Sequence, residues 1–277
     1  MHLSSLFIYP VKGLRGFSVN VAEVDALGLI GDRRFLVVDE TGRFLTQRTH
    51  ARMALVDTAL DADTLTLAAA GAGSVSISRA SDSSAPLRTV SIWKSEGLLA
   101  EDCGDAPAAW LGDFLGLRCR LVRVGDRFSR PVTKPAARPG DRVGFPDAVP
   151  MLVISEASLA DLNARLVARG EDALPMNRFR PNLVVAGCPA FAEDTWPRFR
   201  IGEITFRSAG PCVRCIVPTI DQQTAERGKE PLRTLATYRR TAVNPTDVNF
   251  GQNLINETKS GTLRVDDAVE VSKLKRF

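Results

Sequence analysis

Apolar and polar positions alternate in short runs through residues 1–95, in LSSLFIYPVK, FSVNVAEVDA, RRFLVVDETGRFLT, ALVDTALDADTLTLAA, SVSISR and LRTVSIW. Alternation with a period of two is the signature of half-buried strands. DETG and DADT fall between such runs and read as hairpin turns. Strands about ten residues apart, with no helix between them, predict a small barrel or sandwich. The small, polar stretch AAAGAGSVSISRASDSSAP reads as an exposed loop carrying one edge strand.

A helical period first appears in DAPAAWLGDFLG, where Ala109, Leu111, Phe114 and Leu115 form the apolar face and Gly116 the stop. SEASLADLNARLVARG is the clearest helix, with Ser155 as N-cap and Ser158 where a capping box would place Glu. Leu159, Leu162 and Leu166 make its stripe, and Gly170 ends it. NLVVAG, RFRIGEITFRSAG and CIVPTID then read as strands, EPLRTLATYRR as a last helix, and VNFGQNLINE and GTLRVDDAVEVS as strands again. The class is α+β with a mostly antiparallel sheet.

Composition narrows the function classes. The chain has 277 residues, 44% of them hydrophobic and 25% charged, enough apolar material for a large core. Its net charge of +4 is spread without a Lys/Arg stripe or stacking aromatics, which argues against nucleic acid. No window reaches the length of a signal-peptide core or a membrane span, so no membrane partner is expected. The 5 cysteines are thinly spread, which suits free thiols in a cytoplasmic setting better than a disulfide framework.

GPCVRCIVPTID carries the most chemistry. A structural zinc site needs four ligands, yet there is one Cys-x-x-Cys pair, and the 2 histidines, His2 and His50, lie far from it. A redox dithiol wants a helix N-terminus, whereas Ile216, Val217, Pro218 and Ile220 follow this pair. One thiolate ligating a soft metal that brings its own further ligands fits, with Arg214 beside Cys215 favouring the thiolate. In an extended segment Cys212 and Cys215 point to opposite faces, so one faces a site while the other packs. Two buried free cysteines explain the residues equally well.

The blocks LFIYPVKGLRG, GDRRFLVVDETGRFLTQR, EDCGDAPAAWLGDFLG, ISEASLADLNARL, NRFRPNLVVAG, GPCVRCIVPTID and FGQN follow the order found in MOSC-domain proteins. The chain resembles the group formed by the mitochondrial amidoxime-reducing component and its bacterial relatives, which implies a β-rich, barrel-like N-terminal domain over residues 1–115 followed by a MOSC domain over 116–277, mostly antiparallel β-barrel with a few helices. The resemblance implies a molybdenum cofactor, a molybdopterin whose dithiolene binds the metal, with Cys215 as the protein's ligand and Cys212 as packing. It implies a phosphate pocket containing Lys12, Arg33 and Arg180, with Arg48 a further candidate and Asn182 satisfying the backbone around Arg180. Gly13 stands where relatives carry Ser, so only its amide serves there. In FPDAVP, Asp147 is matched to a substrate-positioning or proton-relaying Asp, while Ala148 and Val149 replace hydroxyl residues and leave backbone N–H groups. Asn249, Gln252 and Asn253 are candidates for pterin or substrate contact, and equally for turns.

The activity implied is two-electron reduction of N-hydroxylated small molecules (amidoximes, hydroxylamines, N-hydroxylated nucleobases) to amines or amidines, with the oxygen leaving as water. The alternative is a non-catalytic carrier of molybdenum cofactor or sulfur. The chain has neither a Rossmann glycine fingerprint nor a run of four clustered cysteines. An external electron donor, a ferredoxin-like, cytochrome-b5-like or other reductase protein, is therefore expected.

Overall fold

The computed structural model describes residues 1–241 and 244–272. Its spine is an eight-stranded sheet in the order Val269–Val271, Arg198–Ile201, Ile204–Val213, Asn249–Asn256, Met151–Ser155, Leu183–Ala186, His2–Ile8 and Phe17–Val19. The chain's first strand thus pairs with Leu183–Ala186, so both ends of the sequence share this sheet. All but one of the pairings are antiparallel, the exception being Met151–Ser155 with Leu183–Ala186. Met151–Ser155 is buried throughout, as expected of a strand covered on both faces.

A five-stranded sheet runs Leu87–Ile92, Ser95–Asp102, Arg120–Arg123, Phe35–Val38, Val11–Lys12. Two three-stranded sheets complete the β structure, one of them Asp57–Leu60, Thr64–Ala69 and Gly73–Ser78. In Thr64–Ala69, Leu65, Leu67 and Ala69 are buried and the residues between them are not, so the alternation in the sequence is the alternation in space. Gly73–Ser78 is the edge strand expected of its polar stretch. The α+β, mostly antiparallel class holds. Among the described residues no sheet closes into a barrel; the large one ends at Val269–Val271 and Phe17–Val19. Alternation specifies which face of a strand is buried, and it carries no information about closure.

The helices lie over Asp105–Leu115 and Glu156–Val167, with a single turn at Leu232–Leu235. Gly116 ends the first in the left-handed conformation at φ 73°. Its buried residues are Pro107, Leu111 and Phe114; Ala109, expected on the apolar face, is exposed. The second helix is capped as expected, Ser155 Oγ accepting from the Ser158 amide at 3.1 Å. Glu193 supplies the missing half of the capping box from a distant segment: its Oε1 accepts from the Ser155 amide at 3.1 Å and the Ser158 hydroxyl at 2.7 Å. Among the described residues, no helix is long and apolar enough to cross a membrane.

One expected strand is absent. CIVPTID forms a 3-10 turn at Val217–Thr219, because Pro218 fixes its own φ and has no amide for a sheet ladder.

Candidate active site

A cleft of about 300 Å³ opens where N-terminal segments meet the interior strands Met151–Ser155, Ile204–Val213 and Asn249–Asn256 of the large sheet. Lys12, Gly13, Arg33, Arg48, Asp147, Ala148, Val149, Arg180, Asn182 and Cys215 all line it. Asn253 lines it too; Asn249 and Gln252, which lie on the same strand, do not. Gln252 instead accepts from Ser208 Oγ at 3.2 Å and donates to Asp194 at 3.2 Å.

Both cysteines of the pair line this cleft, contrary to the expectation of opposite faces. The strand carrying Cys212 is irregular around Pro211 and ends at Val213, so the strict alternation fails before Cys215 is reached. Cys212 also packs against the cluster around Leu152, Phe179 and Phe250. The Arg214 guanidinium donates to Cys212 Sγ at 3.1 Å and to the Phe179 carbonyl at 2.6 Å. The hydrogen bond of Arg214 within the pair thus goes to the first cysteine, Cys212. Beyond the pair, Arg178 donates to the Pro218 carbonyl at 2.9 Å and to Asp221 at 3.1 Å, which fixes the turn that follows Cys215.

The cleft wall is strongly positive. Lys12, Arg33, Arg48, Lys134, Arg180 and Arg214 line it, and Asp147 is the one acidic side chain among the lining residues. Among the described residues, Arg48, Lys134, Arg180 and Arg214 form no ion pair, so their charge is left to an anion. Arg33 and Arg180 are held rigidly. Arg33 donates to Asp32 at 2.7 Å, to Asn182 Oδ1 at 2.8 Å and to the Arg180 carbonyl at 3.1 Å. Arg180 donates to the Leu14 carbonyl at 2.7 Å. Both guanidinium carbons lie 4.3 Å from the centre of the Tyr9 ring. Both backbones take positive φ, 44° at Arg33 and 56° at Arg180, a conformation that side-chain-bearing residues rarely adopt. Burial, reinforced by the charge of Arg33, pulls Arg180 down to about 10. Burial pushes the Tyr9 phenol up to about 12, against the opposing charges of both arginines.

Opposite them, Lys12 and Asp147 form an ion pair, and the Trp93 indole N–H donates to the same Asp147 Oδ1 at 3.0 Å. Partial burial works to raise the Asp147 pKa, but the charge and hydrogen bond of Lys12, the Trp93 N–H and the charge of Arg48 outweigh it and hold the carboxyl below the carboxylate range. Burial lowers Lys12, and Asp147 only partly restores it. The loop bearing Asp147 is tied down from beneath by Arg130, which is 4% exposed. Arg130 donates to the carbonyls of Gly144 at 3.1 Å, Pro146 at 2.6 Å and Asp147 at 2.7 Å. Sequence reasoning passed over Arg130, and nothing in the local pattern marks it, since its partners are backbone carbonyls of a loop. It also passed over Gln47, which donates to the Gly13 carbonyl at 2.7 Å and pairs with Gln222, although Gln47 sits inside the matched block beside Arg48. Gly13 itself has φ 85°.

The donor set limits what metal fits. Among the described residues no group of three or more His, Cys, Asp or Glu side chains could hold a metal ion. A metal here needs to bring most of its ligands with it, and a single thiolate among cations suits an anionic, metal-carrying group.

Two domain families match the chain: the MOSC N-terminal beta barrel domain over residues 1–118 and the MOSC domain over residues 140–270. Mitochondrial amidoxime-reducing component 1 of Mus musculus is 37% identical over 96% of this chain and 81% of its own length. The Homo sapiens protein of the same name is 36% identical over 96% of this chain and 82% of its own, as is mitochondrial amidoxime reducing component 2 of Bos taurus. With identity of 36–37% sustained over 96% of its length, the chain belongs to the MOSC-domain family that includes the mitochondrial amidoxime-reducing components.

Proposed function

We propose that this protein is a molybdenum-cofactor reductase of N-hydroxylated small molecules. The observation that carries the reading is the convergence of Cys215, a set of unneutralised cations and an ionised Asp147 on one cleft. Its relatives' names tie that arrangement to amidoxime reduction.

The residues fit a phosphate-bearing molybdopterin. Cys215 is the thiolate for the metal, and Arg33, Arg180 and Arg48 hold the anionic pterin tail by charge-assisted hydrogen bonds. Lys12 balances Asp147, and Gly13, Ala148 and Val149, which carry no side-chain donor, line the same cleft and have only backbone N–H groups to offer. Asn182 sets the orientation of Arg33 through its side-chain oxygen. When bound, the cofactor supplies two-electron chemistry that removes the oxygen of an N–OH group. With two electrons and two protons, the N–O bond breaks, the nitrogen keeps the amine or amidine, and the oxygen leaves as water.

The chain's own part is to bind and orient. Lys12 and Trp93 both bond Asp147 Oδ1, leaving Oδ2 without a hydrogen-bond partner among the described residues. An ionised carboxylate with a free lone pair accepts the substrate's N–H or O–H; being held ionised, it orients rather than donates a proton at neutral pH. Electrons arrive from an external donor protein, ferredoxin-like or cytochrome-b5-like.

The test is metal and pterin analysis of protein from a cofactor-competent host, followed by benzamidoxime reduction with reduced viologen. We expect stoichiometric molybdenum and pterin, benzamidine as product, and no turnover with NADH alone. Cofactor-loaded protein that fails to reduce any N-hydroxylated compound overturns the reading in favour of a carrier role.

A further inference from the structure

The strands Leu87–Ile92 and Ser95–Asp102 form a hairpin in which Ile92 pairs with Ser95, leaving Trp93 and Lys94 as a two-residue loop. Trp93 has φ 53°, whereas Lys94 is not among the positive-φ residues. In a two-residue loop with positive φ at its first position only, glycine is the natural occupant, because any Cβ there is strained. A tryptophan in that place, 43% exposed, is a poor choice for the turn and for solubility. Its contacts explain it. The indole N–H holds Asp147 at 3.0 Å, the Arg48 guanidinium carbon lies 4.3 Å from the indole ring, and Phe44 packs edge-on with centroids 4.7 Å apart. Arg48 and Asp147 line the cleft and Trp93 does not, so the indole stands next to the cleft wall, a flat face fixed on several sides by two of the lining residues and Phe44.

We propose that Trp93 is a specificity-determining residue that selects N-hydroxylated substrates with a flat, conjugated ring, the ring stacking against the Trp93–Arg48 wall while the N–OH end reaches into the cleft beside Asp147. The inference rests on the reductase reading above for the N–OH end and on the hairpin geometry for the ring. Indole and guanidinium planes both favour an aromatic neighbour over an alkyl chain of equal size. Trp93 has a second role, orienting Asp147 through its N–H, and that role serves every substrate alike.

The experiment compares benzamidoxime with acetamidoxime, which share the reacting group and differ in the ring. The quantity read is the ratio of their kcat/KM values, in which any general effect through Asp147 cancels. In wild type the ratio favours the aryl substrate. In Trp93→Ala and Trp93→Gly it falls about tenfold, the loss expected for one stacked aromatic contact. In Trp93→Phe, which keeps a ring and removes the N–H, it stays within about twofold of wild type. Trp93→Gly relieves the turn and so offsets part of the lost Phe44 and Arg48 packing, and its unfolding midpoint, measured on the same preparation, separates lost selectivity from lost folding. Benzamidine binding, followed by quenching of indole fluorescence in wild type and by competition in the variants, reads the ring site without turnover; acetamidine is the control. If wild type reduces neither amidoxime but binds benzamidine through Trp93, the reductase reading fails and the ring site stands. An unchanged ratio in Trp93→Ala and Trp93→Gly, or benzamidine affinity indifferent to Trp93, overturns the inference.

Discussion

Lys12 and Asp147, 135 residues apart in the chain, form one ion pair that joins the N-terminal β segment to the loop before the strand Met151–Ser155. The lysine side chain is 11% exposed and the aspartate 57%, so the lysine depends on the pair more than the aspartate does. Asp147→Asn keeps an acceptor for Trp93 but leaves a buried ammonium without its counter-charge. We expect a loss of about 1–2 kcal/mol, at the low end for a broken ion pair because Asp147 is half open to solvent. The pH dependence carries a definite sign. Asp147 has a folded-state pKa below its ordinary 3.8, so its contribution is complete above 3.8 and disappears as pH falls through the lower, folded value. Lys12, lowered from 10.5, acts in the alkaline range, where stability grows as pH rises toward 10.5 because the unfolded chain binds the extra proton. Urea unfolding of wild type and Asp147→Asn should therefore differ by a constant amount near neutrality and converge in acid. A gap that stays level well below pH 3.8 would show that the pair contributes nothing through Asp147 ionisation.

Tyr9 is 2% exposed, its ring carries both Arg33 and Arg180, and its hydroxyl has no partner among the described residues. The ring and the hydroxyl should then behave oppositely. Tyr9→Phe removes an unsatisfied buried group and keeps the ring, so stability changes by less than about 1 kcal/mol or rises. Tyr9→Leu loses the aromatic packing and both cation–π contacts, costing about 2–4 kcal/mol and lowering pterin content. Equal behaviour of the two variants in urea unfolding would mean that the ring does not organise the arginines.

How far the sequence speaks is clearest at particular residues. Strand faces and helix stops were legible because they depend on local pattern: Leu65, Leu67 and Ala69 alternate in burial, and Gly116 is left-handed. The cleft residues were legible through the ordered blocks they sit in, and each lines one cavity. What stayed hidden depends on distant partners. Glu193 completes the cap of Ser155 from 38 residues away, and Arg130 grips a loop through backbone carbonyls. Barrel closure and the path of the chain between Cys212 and Cys215 failed for a related reason: strand alternation is a local rule, and both depend on where the ladder is interrupted.

Gly13 occupies φ 85°, and a Cβ there would lie 2.9 Å from Met53 Cε. The methionine end is flexible and can yield, so backbone conformation sets most of the penalty. Gly13→Ala should cost about 1–2 kcal/mol. Gly13→Ala with Met53→Leu should recover little of it. Full recovery of the unfolding midpoint in the double variant would assign the constraint to Met53 instead.

The last prediction separates the two cysteines. Both line the cleft and both are free thiols, so position alone does not distinguish them. Their contacts do. Cys212 accepts from Arg214 at 3.1 Å and packs on the Leu152–Phe179–Phe250 cluster, which marks it as part of the frame. Cys215 lies beyond the strand end, before the turn that Arg178 holds, with no hydrogen-bond partner for its sulfur among the described residues. A thiol that is exposed to the cleft and engaged by nothing in the protein is the one available to a metal. Cys215→Ala should therefore abolish molybdenum retention and N-reductive activity while the unfolding midpoint moves little. Cys212→Ser keeps an acceptor for Arg214 and loses some packing, costing about 1 kcal/mol with molybdenum still bound. Cys212→Ala leaves that guanidinium N–H unpaired and should be the less stable of the two Cys212 variants. The measurements are molybdenum per chain by elemental analysis and the urea midpoint, made on the same preparations. Molybdenum lost from Cys212→Ser and retained in Cys215→Ala would reverse the assignment, and with it the separation of frame from ligand drawn from the contacts of Arg214.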